Sequence, residues 1–349
     1  MVKNKESKIP EFASLAYFPD EPQGRGGEAG APFPASGEGP SWEALPPEVS
    51  FAEAFGHCPV MLDESVAALN VKPEGFYVDG TVGGGGHARA ILGRLGPQGK
   101  LLALDADPEC VAFAKHWGAG ERRLIALEAN FADLRRVLKE EGLGPADGIL
   151  LDLGINSRQL AAPNRGFSIA SDGPLDMRLS PKTATTAAKL VNSLSEKKLA
   201  DLIFAYGEDR RSRAIAREIA RARAETPFRT TGELAAVIAR LSSKRDGKEF
   251  IHPATRVFQA LRIAVNGELS SLERFLDEAY GLLKPQGRLA VISFHSLEDR
   301  LVKNLFRARP KYEESRWKAI LKKPIRPQES EIFMNHRARS AKLRVATRL

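Results

Sequence analysis

Four consecutive glycines, Gly83 to Gly86, and then His87 stand directly behind a short apolar run, Phe76-Tyr77-Val78, that ends in Asp79. Backbone without Cβ atoms turns sharply and lets a ligand approach closely, and the start of a following helix offers N–H groups with no intrahelical partner. About twenty residues past the glycines, Asp105 closes a second apolar run, where an acid is placed to hold ribose hydroxyls. These two signals fit NAD and S-adenosylmethionine alike. Asp79 separates them, because it lies inside the loop where a dinucleotide would bring its doubly negative pyrophosphate, and like charges repel strongly at low dielectric. A sulfonium donor has no phosphate and carries two cationic centres, so an acid there is favourable. The alternative, in which Asp79 only caps its own turn, stays open.

Strand, glycine loop and helix form the first unit of a doubly wound sheet. A helix-like stretch over 88–95 and a Gly96-Pro97-Gln98-Gly99 turn lead to the second strand, 100–104, before Asp105. A third strand is expected over 123–127, leading to Asn130-Phe131 and a helix over 131–141. The run 147–152, ending in Asp152, is nearly continuous in apolar residues, as a strand buried on both faces should be. A helix over 271–283, a Lys284-Pro285-Gln286-Gly287 turn, a strand over 288–294 and a last strand over 342–346 complete the pattern. Between Asp152 and Arg288 stand 135 residues, where a crossover needs about a dozen. The spacing predicts an inserted domain over 156–252, flanked by sheet segments 53–155 and 253–349.

A chain of 349 residues, 43% of them hydrophobic, can bury one large core or two modest ones. Residues 1–52, rich in glycine and proline, read as a disordered extension. Neither a signal peptide, a transit peptide nor a membrane-spanning run is legible, so a soluble, cytosolic protein is expected. Cys58 and Cys110 lack both a disulfide framework and metal-ligand spacing, and read as packing residues.

The net charge of +8 is unevenly placed. Residues 156–252 hold 18 Lys/Arg against 11 Asp/Glu and residues 300–349 hold 15 against 4, so the rest of the chain sums to −10. Two basic segments on an otherwise acidic chain suggest a polyanion partner. The insert reads as helical over 199–206, 213–224 and 232–241, with Thr230 or Thr231 as an N-cap of the last. Arg210, Arg213, Arg217 and Arg221 recur every three or four residues, which suits phosphate contacts. An ordinary solvated face balanced by Glu208, Glu218 and Glu225 is the competing reading. The helix after His252-Pro253 carries Val257, Ala260, Leu261, Ala264 and Val265 at helical spacing and is expected to join the core, with Arg256, Gln259 and Arg262 on its other side.

Seven motifs, in order, resemble one family. They are His57-Cys58-Pro59-Val60-Met61-Leu62-Asp63-Glu64, the run from Asp79 to His87, Gly148-Ile149-Leu150-Leu151-Asp152-Leu153-Gly154, Arg165-Gly166-Phe167-Ser168, Asp172-Gly173-Pro174-Leu175-Asp176-Met177-Arg178, His252-Pro253-Ala254-Thr255-Arg256 and Ser293-Phe294-His295-Ser296-Leu297-Glu298-Asp299-Arg300. From about residue 55 to the end the chain is similar to the bacterial 16S ribosomal RNA (cytosine N4)-methyltransferases. The resemblance implies a class I, Rossmann-like methyltransferase sheet with an inserted helical domain, S-adenosylmethionine as donor, and a cytidine in the decoding region of the small subunit as acceptor. It also implies cofactor contacts from Gly85, Gly86, His87, Asp105, Phe131, Asp152 and Gln159, to which the reading of the loop adds Asp79. After Gly154 the chain departs from the family pattern, with Ile155-Asn156-Ser157-Arg158 where two serines and a proline or histidine are common.

The exocyclic amine of cytosine is a poor nucleophile, since its lone pair is delocalised into the ring, so acceptors that hold its hydrogens raise its reactivity toward an in-line methyl. Asn156, Asp176 and His295 are the candidates for contact with the base. A salt bridge to Arg178 is the competing role for Asp176. For His295 it is a place in the turn before a helix, because Ser296 and Asp299 have capping-box spacing. His57 is a candidate lid over the cofactor. The insert, with Arg213, Arg217 and Arg221, and the basic C-terminal segment are expected to clamp RNA so that the base is exposed. A nicotinamide oxidoreductase and a non-catalytic RNA-binding factor are the competing functions, and a homodimer is compatible with the sequence.

Overall fold

The computed structural model describes residues 59–241, 252–307 and 317–349. The expected extension over 1–52, and His57 and Cys58, lie outside them. Within the described residues the chain forms two compact units: one is built from residues up to Asn156 together with Leu269–Leu349, the other from Ser157–Glu268.

The first unit opens with α1 (Leu62–Leu69), β1 (Phe76–Asp79), α2 (Gly86–Leu92), β2 (Lys100–Asp105), α3 (Pro108–Trp117), β3 (Leu124–Glu128), α4 (Leu134–Glu140) and β4 (Ala146–Asp152). The second unit follows as α5 (Ser157–Ala161), α6 (Ala187–Ser193), α7 (Glu196–Gly207), α8 (Ser212–Glu225), α9 (Thr231–Ala239) and α10 (Thr255–Asn266). The chain then returns through α11 (Glu268–Leu282), β5 (Leu283–Ser293), α12 (Ser296–Arg307), β6 (Trp317–Ala319), α13 (Glu329–Met334) and β7 (Lys342–Arg348).

The seven strands lie in the order β3-β2-β1-β4-β5-β7-β6. β1 to β5 run parallel, whereas β7 is antiparallel to both β5 and β6. Strand order reverses between β1 and β4, and ligands of open α/β sheets bind outside the strand ends at such a point. The doubly wound sheet read from the sequence is therefore present. It gains β6, a three-residue strand that no apolar run announces, and β5 begins at Leu283, because that residue, read as the end of the preceding helix, pairs with Ala146, while the segment read as a turn bulges out before pairing resumes between Gly148 and Arg288.

Alternate side chains feed two cores, as the two-residue period of a strand demands. Tyr77, Leu101, Ala103, Leu150, Ala290 and Ile292 point to one face, which α1, α2 and α3 cover. Val78, Leu102, Leu104, Ile149, Leu151, Leu289 and Val291 point to the other, under α4, α11 and α12. The parallel strands are thus sealed on both sides.

In the second unit α7 packs on both α8 and α10. The boundary expected at residue 252 instead falls at Glu268, because α10 packs on α7 and α6 of the second unit. Gly207 makes the approach possible, since a Cβ there would lie 2.5 Å from the Arg256 carbonyl. Arg256 and Gln259, expected to project outward, donate to the Glu208 and Tyr206 carbonyls and close that contact. Arg262 pairs with Glu268 at 2.7 Å. Thr230 caps α9 in a full capping box with Glu233.

Phe275 is 1% exposed and meets Phe131 edge-on at 5.8 Å between ring centroids. Phe275→Ala is expected to cost about 3–5 kcal/mol through the cavity it opens, measured as a lower urea midpoint.

Candidate functional site

The ends of β1, β2 and β4 bring Asp79, Asp105 and Asp152 to one edge of the first unit. Asp79 is 1% exposed. Its Oδ1 accepts from the Thr81 N–H at 3.1 Å, whereas its Oδ2 is sealed from solvent with no hydrogen-bond partner. One oxygen thus closes the turn, and the other is left for something else. Asp152 has a similar orphan in Oδ1, while its Oδ2 stands 3.8 Å from His87 Nδ1. Asp105 accepts from the Gly83 N–H and the Asp107 N–H, both at 2.9 Å, so it shapes the glycine loop as well as facing it.

Burial dominates the electrostatics of this edge. It pushes Asp79 up to about 7, with Asp105 adding repulsion, and Asp105 up to about 6, with Asp107 adding repulsion. It also holds Asp152 well above the ordinary carboxylate range, helped by Asp79, Glu298 and Glu331.

The loop is a cradle that side chains would fill. Gly85 has φ 77°, and a Cβ there would lie 2.6 Å from the Trp117 indole nitrogen; at Gly86 it would lie 2.5 Å from Pro59. Gly83, at φ 47°, is open except toward Asn156. Phe131 begins the short 3-10 turn after β3, where its Cβ would be 3.2 Å from a Cβ on Gly80. Orphaned carboxylate oxygens beside a bare-backbone loop fit a cationic, phosphate-free ligand, and S-adenosylmethionine meets that description. Asp79, Gly85, Gly86, His87, Asp105, Phe131 and Asp152 all belong to this one edge.

The three candidates for base contact differ in their surroundings. Asn156 lies beside Gly83, and its Nδ2 donates to Cys110 Sγ at 3.2 Å. Cys110, expected only to pack, also hydrogen-bonds Asp105, so its thiol links the acid to the amide. His295 instead precedes α12, accepting the Glu298 N–H on Nδ1 while Glu298 Oε2 accepts the Phe294 and His295 N–H groups. The reciprocal cap is thus His295 with Glu298, not Ser296 with Asp299. Asp299 is drawn away by Arg344 at 2.6 Å and Lys342 at 3.2 Å.

Asp176 belongs to the second unit, buried in a two-pronged pair with Arg178, both contacts at 2.8 Å. Arg165, 2% exposed, donates to the Arg178 and Leu179 carbonyls. Asn266 holds the same loop at Met177 and Leu179. Gln159 is buried on α5 in that unit.

On α8, Arg213, Arg217 and Arg221 are exposed, each beside an acid: Asp201 at 3.3 Å, Glu196 at 3.8 Å and Glu218 at 2.7 Å. Two of those acids come from α7, not from the set expected, and Arg210 precedes the helix rather than joining its face. Exposed pairs of this kind contribute little and are screened by salt, so a polyanion can displace the acids.

Because Asp79 and Asp105 hold protons in the folded state that the unfolded chain has already released, ligand-free stability should fall as pH rises from the ordinary carboxylate range through about 6 to 7. A cation selects the ionised form, so affinity for S-adenosylmethionine should rise over the same interval, and rise less for the uncharged-sulfur product. Asp79→Asn should flatten the first trend and weaken donor binding about tenfold, roughly 1.4 kcal/mol. Calorimetry across that pH range, beside thermal melts, reads both.

The comparison with known proteins agrees with this geometry. Residues 54–349 match the model of the MraW methylase family. A ribosomal RNA small subunit methyltransferase H from Thermomicrobium roseum is 48% identical over 309 residues, spanning 84% of this chain and 94% of its own. The protein of that name from Magnetococcus marinus is also 48% identical, over 314 residues, spanning 85% and 99%. Among solved structures, an rRNA methylase from Streptococcus thermophilus aligns at 12% identity with a TM-score of 0.36, over 84% of this chain and 98% of that one, too remote to add weight. With a match that runs through both units and includes every residue of the acidic edge, the chain belongs to the MraW methylase family.

Proposed function

We propose that this protein methylates the exocyclic N4 amine of a cytidine in the decoding region of 16S ribosomal RNA, with S-adenosylmethionine as donor, the small ribosomal subunit as substrate assembly and the cytoplasm as compartment. The single observation that carries the reading is the buried acidic edge, where Asp79 and Asp152 each keep one sealed oxygen without a partner beside a loop of bare backbone. The name shared by the curated relatives supports the substrate class.

When bound, the donor supplies an electrophilic methyl group on a sulfonium. Asp79 and Asp152 balance its positive charge, and the fixed Gly83–Asp105 hydrogen bond keeps the loop from reorganising as charge moves. Asp105 retains lone pairs for ribose hydroxyls, and Phe131 offers an aromatic wall beside Gly80. Gln159 is assigned to the donor on family resemblance. His87 is fixed by the Val60 carbonyl at 3.2 Å and faces Asp152.

Asn156, beside the open side of Gly83, is the residue assigned to the cytosine amine. Its carboxamide has the chemistry to accept an N4 hydrogen, which leaves the nitrogen lone pair more available as the C–N bond forms and the C–S bond breaks; the surplus proton passes to water. Asp176 acts by shaping its loop through Arg178, and His295 by capping α12. Asn156→Ala should therefore lower kcat more than it changes donor affinity.

The arginine face of α8 is assigned to the RNA phosphates. Arg213, Arg217 and Arg221 exchanged together for Glu should weaken RNA binding at least tenfold and reduce the slope of log affinity against log salt by about 2, at roughly 0.7 per lost contact to single strands. Donor affinity should stay the same. An unchanged filter-binding titration would remove α8 from the RNA interface. The reaction itself is tested by mass spectrometry of ribosomal RNA nucleosides: N4-methylcytidine should vanish from cells lacking the protein and return with it, and its persistence would overturn the assignment.

A further inference from the structure

Helix α13 presents Phe333 and Met334 at 79% and 80% exposure, the two most exposed large apolar side chains among the described residues. Soluble proteins seldom present an aromatic ring so openly unless something covers it. The surroundings name the partner's chemistry. His336, Arg337 and Arg339 follow at exposed positions, and residues 317–349 hold 9 Lys/Arg against 2 Asp/Glu.

One of those two acids is turned inward. Glu331 accepts the Met61 N–H at 2.7 Å, while the carbonyl of that same peptide group, from Val60, meets His87 Nε2 at 3.2 Å. A single peptide is thus held on one side by the glycine loop's histidine and on the other by α13. Ile325 pairs with Leu343 just before the helix, and Ala338 and Ala341, fully buried, pack into the same core face as Met61, Ala88 and Ile91. Phe333 and Met334 are therefore displayed on an anchored segment joined to the donor edge.

We infer that Phe333 and Met334 form a stacking platform for an unpaired RNA base flanking the target nucleotide, with the cations after them taking the adjoining phosphates. The inference rests on the RNA reading above and adds a residue-level contact to it. An aromatic ring among cations is the arrangement that binds single strands, because every base offers a π-face and the backbone supplies the charge. A second copy of the chain is the poorer occupant, since two such basic surfaces would repel each other.

The test uses the full-length protein and an RNA fragment of the decoding region carrying 2-aminopurine beside the target cytidine. Phe333→Ala should raise KM for RNA about tenfold, within the range measured for loss of one base–aromatic stack, with donor KM and melting temperature unchanged. Phe333→Tyr should restore the wild-type value. Binding to wild type, but not to the alanine variant, should quench the 2-aminopurine. Equal KM and equal quenching in both proteins would overturn the platform. So would a Phe333→Ala variant that changes the sedimenting species from dimer to monomer, which would assign this face to a second copy. Failure of the methylation reading is separately visible as a wild type that transfers no methyl, and in that case the quenching still decides the stack.

Discussion

Carboxylates buried or half-buried at the ends of three neighbouring strands are costly to keep, and the rest of the fold is arranged around that cost. A sealed acceptor without a partner is destabilising by about 1–3 kcal/mol, more if charged, and Asp79 and Asp152 each have one. The protein tolerates them because the strands beneath are locked on both faces by apolar side chains. The free chain relieves the repulsion by binding protons; a cation relieves it by binding in their place.

This makes the donor edge preorganised rather than flexible. Gly83 is fixed by Asp105, His87 by the Val60 carbonyl, and Gly85 and Gly86 are pressed against Trp117 and Pro59. Electrostatic stabilisation of this kind works only if the dipoles do not move when charge does. The helical unit follows a different plan: its α8 arginines sit in solvent, each in an exposed pair with an acid. One unit spends stability on a charge pattern; the other keeps its charge cheap to rearrange.

The parts of this fold that were legible in the sequence are those in which burial leaves a mark on residue type. β2, β4 and most of β5 are apolar because both faces are covered, and the glycine loop shows itself because Gly83 and Gly85 take positive φ and a Cβ on Gly85 or Gly86 would meet Trp117 or Pro59. What was hidden depends on partners distant in the chain. The amphipathic stripe of α10 says that one face is buried but not that α7 is what buries it. β6 exists because β7 offers an unpaired edge, a fact absent from three residues. Ser296 and Asp299 had the right spacing for a cap, yet Arg344, 45 residues on, outcompeted the local geometry. Two of the three acids opposite the α8 arginines come from α7, beyond any i,i+4 search. Nor can residue types alone distinguish an acid that closes a turn from one that keeps an oxygen idle, and Asp79 does both.

Cys110 shows how far such a link can reach. Its sulfur accepts from the Asn156 amide on one side and hydrogen-bonds the Asp105 carboxylate on the other, so the gap between those groups is set by two hydrogen-bond lengths to sulfur. Serine would span it poorly, because hydrogen bonds to a hydroxyl oxygen are shorter than those to sulfur. The spacing of the site thereby depends on the size of a single hidden atom.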